Sequence, residues 1–93
     1  MANPLPLLEQ IKPYAPDEAT FGRTSANLRD IVEECEWLLQ VVSASEQKTL
    51  SEDELEALLI DIDVRFIMHV GWHLRSLRKD FPSILANFPD EDV

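Results

Sequence analysis

The stretch SEDELEALLIDIDVRFIMHVGWHLRSLRK, residues 51–79, decides the fold. Its first four residues, Ser51-Glu52-Asp53-Glu54, form a capping box. The Ser51 hydroxyl and the Glu54 carboxylate each accept from the other residue's backbone N–H, which starts a helix at Glu52. Leu50 and Leu55 take the hydrophobic-staple positions, and Glu52 and Asp53 meet the positive end of the helix dipole. From Leu55 an apolar stripe continues through Leu58, Leu59, Ile62, Phe66, Val70, Leu74 and Leu77. This pattern predicts one helix over 52–79, with a break near Asp61-Ile62-Asp63 as the alternative. Gly71 is its weak point, costing about 1 kcal/mol relative to alanine.

Upstream, Leu28, Val32, Cys35, Leu39 and Val42 recur at four- and three-residue steps, with Ile31, Leu38 and Val41 widening the stripe. They predict a second amphipathic helix over 25–44, capped by Thr24 or Ser25, with Cys35 in the core. Its other face carries Arg29, Asp30, Glu33, Glu36 and Gln40. The polar run over 43–50 is the turn between the two helices. Pro13, Pro16 and Gly22 make residues 13–23 an extended connection, anchored by Phe21. Pro6 suits the first turn of a short helix that Pro13 stops near Lys12, with Leu7, Leu8 and Ile11 docking on the core. Asp80-Phe81-Pro82-Ser83 ends the long helix and starts a short one through Ile84, Leu85 and Phe88. An acidic tail follows. The expected fold is all-α and one domain over 1–93, divided as an arm (1–23), two long antiparallel helices (25–44 and 52–79) and a short helix with its tail (80–93). Two wide stripes need more cover than the arms supply, so a homodimeric helical bundle is expected.

Charge is unevenly placed. The net charge is −10, yet residues 64–79 hold Arg65, Arg75, Arg78, Lys79, His69 and His73 and no acid. Overall acidity opposes direct nucleic-acid binding. The lone Cys35 allows no intramolecular disulfide. The opening lacks the basic segment of a signal peptide, and no apolar run is long enough to span a bilayer, so a cytoplasmic, membrane-free protein is expected.

No catalytic signature accompanies the basic island, and no enzyme, cofactor or metal is expected. His69 and His73 share a helix face, but a metalloprotease helix would place a glutamate where Val70 stands. Glu33, Glu36 or Cys35 are the available third ligands, and no spacing selects one. Acids beside Cys35 suppress its thiolate, which argues against a reactive thiol. Asp61 and Asp63 lack the glycine and distal glutamate of a calcium loop.

The remaining feature is a face holding Arg65, Met68, His69, Trp72, Arg75 and Lys79. Trp, Met and Arg are the side chains enriched where proteins dock. These six are the expected partner-binding residues. Self-association, contact with the acidic helix of the same chain, and closure of the core by Trp72 are the competing uses. The expected function is that of a small acidic regulator, without enzymatic activity, which binds and blocks a partner such as a transcription regulator or nucleic-acid-binding protein. Six carboxylates between Glu52 and Asp63 support the alternative of a nucleic-acid mimic. A metal-binding role for the histidine pair ranks below it.

Overall fold

The computed structural model describes residues 3–89, and every regular element among them is helical. In chain order these are α1 (Leu5–Ile11), a 3-10 turn (Lys12–Tyr14), α2 (Glu18–Ser45), α3 (Glu52–Asp61), a π-helical segment (Ile62–Met68) and α4 (His69–Leu85). α1 has a proline in its first turn and gives way to the 3-10 turn at Lys12. Leu8 is its buried residue, whereas Leu7, expected beside it, is exposed.

α2 begins well before the expected cap. The Asp17 carboxylate accepts the Thr20 backbone N–H at 2.7 Å, and that bond holds its carboxyl below the usual range. Asp17 is therefore the N-cap. Thr24 and Ser25 lie buried inside the helix, and the expected connection over 13–23 is largely its first turns. Gly22 is accommodated within them.

α2 is the one uninterrupted long α-helix among the described residues. Its expected companion over 52–79 is divided. The capping box forms as read: Glu54 N–H donates to Ser51 Oγ at 3.2 Å and Ser51 N–H to Glu54 Oε1 at 3.0 Å. After Asp61, however, the hydrogen bonding widens to the π form through Met68. The stripe Leu58, Ile62, Phe66, Val70 advances in fours, and on a straight helix of about 3.6 residues per turn it would drift around the axis. A π turn takes up more residues, about 4.4, so it drifts the opposite way and offsets the drift of the α turns on either side. Beyond it, Val70, His73, Leu77, Asp80 and Ile84 resume the alternating three- and four-residue steps and are all buried.

α4 also runs past its expected stop. It carries Pro82 internally and ends at Leu85, so the separate short C-terminal helix expected from residue 80 is absorbed into it. Asp80 accepts two bonds from Arg23, at 3.1 and 3.0 Å, which keep the last turns seated on α2. Ser83 Oγ donates to the Asp80 carbonyl at 2.8 Å. The expected acidic tail lies largely outside the described residues.

Cross-helix contacts set the packing. Arg23 meets Asp80, Asn27 meets Ser76 and His73, and Glu34 meets Arg65. Partner numbers fall along α4 as those of α2 rise. The buried residues lie at one end of this pairing: Leu8, Thr20, Thr24, Ser25, Asn27 and the five of α4 just named. α1 closes that end, with Tyr14 stacked on Phe88 at 4.0 Å and the Asn87 side chain donating to the Tyr14 carbonyl. At the opposite end, α3 and the π segment bury nothing completely. The chain is accordingly long and thin, 57 Å in its greatest extent. Its radius of gyration is 17.5 Å, against about 12 Å for a compact chain of this length.

The apolar stripe of α2 is rotated from its expected role. Thr20, Thr24 and Asn27 occupy the line that faces α4, so the contact is polar at the closed end. The expected seam lies one residue further round. Cys35, placed in the core by its phase, is exposed, and so are Leu39 and Val42. On the second helical path Leu55, Leu59 and Leu74 are likewise exposed.

Candidate interaction surface

α2 sorts the six expected docking residues into two groups. Arg65 and His69 turn toward it. The Arg65 Nε–H donates to Glu34 Oε2 at 3.3 Å, and its guanidinium lies 4.2 Å from the centre of the Trp37 ring. A cation over an indole face is attracted by the ring quadrupole. His69 Nδ1 lies 3.8 Å from Glu34 Oε1.

His73 forms the inner edge of the same cluster and is buried, beside an exposed His69. Its Nδ1–H donates to Asn27 Oδ1 at 2.7 Å, since an amide oxygen only accepts. Asn27 is oriented in turn by donating from Nδ2 to Ser76 Oγ at 2.8 Å. In the neutral ring His73 Nε2 then carries a lone pair, which accepts from His69 Nε2 at 3.0 Å. Asp30 Oδ2 lies 3.4 Å from the same nitrogen. The arrangement is an interlocked polar patch in which Asp30 and Glu34, four apart on α2, face His73 and His69, four apart on α4. Among the described residues, no three or more His, Cys, Asp or Glu side chains are grouped so as to hold a metal ion.

Met68, Trp72, Arg75 and Lys79 point away from this patch. Met68 is 63% exposed and Trp72 61%, so Trp72 does not close the core. One edge of the indole rests against the His73 ring, at 5.0 Å and 78°. A shallow groove runs beside it, lined by Trp72, Arg75, Ser76, Arg78 and Lys79. Arg75 donates weakly to the Gly71 carbonyl at 3.5 Å. Among the described residues Arg75, Arg78 and Lys79 have no carboxylate partner.

Contact with the acidic helix of the same chain, one of the competing uses, is what Arg65 and His69 make, but sequence reading did not single out the α2 residues of this site, Asn27, Asp30, Glu34 and Trp37. The signal was the four-residue spacing of Asp30 and Glu34, which matches that of His69 and His73. It becomes visible only when the register of the two helices is known. No family model, curated protein or solved structure matches the chain. No helix among the described residues is long and apolar enough to cross a membrane.

Proposed function

We propose that the chain is a non-enzymatic regulatory protein of the cytoplasm that docks onto an acidic segment of another protein. The observation that carries this reading is the groove in which exposed Trp72 stands beside Arg75 and Lys79, cations without a carboxylate partner among the described residues, with Met68 exposed four residues earlier on the helical path. A large flat aromatic supplies contact area at small entropic cost, and cations without an internal partner break no internal ion pair when a carboxylate replaces part of their hydration. Arg65 and His69 act behind this surface by tying the helix to α2 rather than by touching the partner. Binding there would block the partner's own acidic or helical contacts. A dimeric helical bundle, with two antiparallel helices from each copy, is the assembly in which we expect the chain to act.

Stoichiometric capture of one partner tests this, comparing wild type with Trp72→Ala and Lys79→Glu at matched circular dichroism. Loss of capture in both variants, and a fall in wild-type affinity with salt, are the expected results. Undiminished capture by both variants would remove the groove from the reading.

A further inference from the structure

The open end presents a second surface, which borders the first at Arg75 and Arg78. In an antiparallel helix pair, residues one step C-terminal to the contact residues lie on the same side of both helices. On the second helical path that side carries Leu55, Leu59, Ile67, Leu74 and Phe81, all 40% exposed or more. Leu39 and Val42 extend it onto α2. The start of α1 reaches this side of α2 as far as Val32 and Glu36, where Asn3, Pro4 and Leu5 line a groove with them. Gly71 sits in the same row, and a Cβ built there would meet nothing within 4 Å. Packing within the chain thus gives no reason for a glycine in mid-helix, whereas the close approach of another helix does.

Area and charge together say what covers this side. A monomer of 10.7 kDa is expected to expose about 5,500 Å², and this chain exposes 7125 Å². A standard interface takes about 800 Å² from each partner, well within that excess. Along the row, the N-terminal half is rimmed by Glu52, Glu56 and Asp63, and the C-terminal half by Arg75 and Arg78. A copy running in the same direction sets like charges together. A copy running in the opposite direction sets the acidic half of the row against the basic half.

We infer that the α3–α4 helix pairs with the same helix of a second copy, antiparallel, about a two-fold axis near Ile67. This deepens the proposed dimeric reading; the row shares Arg75 and Arg78 with the Trp72 groove but not Trp72, Ser76 or Lys79. The axis stacks Ile67 on the partner's Ile67, sets Gly71 against the partner's Asp63, and brings Glu56 beside the partner's Arg78. Such an isologous contact closes on itself and leaves no open seam for further growth.

Light scattering coupled to gel filtration tests the assembly, using the full chain. Wild type should elute with the mass of two copies. Ile67→Glu should give the mass of one, with helix content retained because the side chain is exposed. Glu56→Arg and Arg78→Glu should each weaken the dimer at least tenfold, and the double variant should recover most of it. In a Cys35→Ser background, Ile67→Cys should form a disulfide-linked dimer on mild oxidation. A monomeric wild type at 100 μM-scale loading (on the order of the weakest stable dimers), a dimer indifferent to Ile67→Glu, or no rescue by the double charge swap would overturn the inference. The groove reading fails separately: Trp72→Ala should leave the dimer mass unchanged, and Ile67→Glu should still capture the partner.

Discussion

The two ends of this helical pair are built on opposite terms. The closed end buries polar side chains and satisfies most of them: Arg23 with Asp80, Asn27 with His73 and Ser76. The open end is richer in large aliphatic side chains and buries none completely among α3 and the π segment. Leu39, for instance, is 67% exposed. Hydrogen-bonded polar contacts fix one register between helices, because a one-residue slip leaves donors and acceptors unmatched. Aliphatic contacts tolerate such slips and contribute chiefly through the area they cover. The closed end therefore specifies how α2 and α4 pair, and the open end keeps its apolar area available for another surface.

The largest effect that would break or sharpen this contrast is a truncation at each end. Leu77→Ala, in the buried row of α4, should cost about 3 kcal/mol through lost transfer energy and the cavity it leaves. Leu39→Ala should stay within about 0.5 kcal/mol, as surface substitutions do. Urea denaturation of dilute protein measures both. Equal costs would mean that the two ends share one core.

The closed end also contains its own flaw, which gives an intermediate effect of the opposite sign. Thr24 is fully buried, and its hydroxyl has no hydrogen-bond partner. Thr24→Val keeps the shape and removes the unsatisfied group, so it should stabilise the chain by about 1 kcal/mol. A loss of stability would show that the hydroxyl has a partner, such as a buried water. Thr24 then belongs to the polar register rather than standing as an exception to it.

This contrast also explains which features the sequence made legible. The all-α class follows from periodicity, and the α3 start follows from the capping box, because both depend on near neighbours in the chain. Asp17 was overlooked because Thr24 and Ser25 are equally good caps on local grounds, and only their burial decides. The rotation of α2 was hidden for a related reason. Hydrophobic periodicity locates apolar side chains, and here the helix contact runs through Thr20, Thr24 and Asn27 instead. Cys35, expected in the core, lies on the uncovered side with Leu39 and Val42 of the same stripe. The π segment was legible in principle, in the four-residue steps from Leu58 to Val70. On the basic face, Trp72, Arg75 and Lys79 of the expected group line one groove, and Met68 is exposed outside it. The engagement of Arg65 and His69 with Glu34 depends on tertiary register, which no local pattern encodes.

The smallest effect concerns the turn that joins the two helical paths at the open end, and pH reads it. Glu54 accepts from the Ser51 backbone N–H and from Lys48 Nζ, at 3.0 and 3.1 Å. With the Ser51 N–H as the main cause, these bonds lower its carboxyl from 4.5 to about 2. A carboxyl whose pKa is depressed on folding contributes stability that is present in full above its unfolded value. That contribution is lost as pH falls through the folded value. Between pH 4.5 and about 2, the margin of wild type over Glu54→Gln should therefore shrink toward zero, while above that window it should be constant. Thermal melts of both proteins at stepped pH measure the margin. The effect should be small because the groups are exposed and screened. Its location still matters, because the capping box is the best-satisfied polar feature of the open end. If the margin persists unchanged to pH 2, Lys48 and the cap do not hold the turn in solution, and the open end is less ordered than its hydrogen bonds imply. If it collapses as expected, the turn is fixed by its own local bonds. The aliphatic row beyond it would then be presented on a preformed helix, at lower ordering cost to whatever surface covers it.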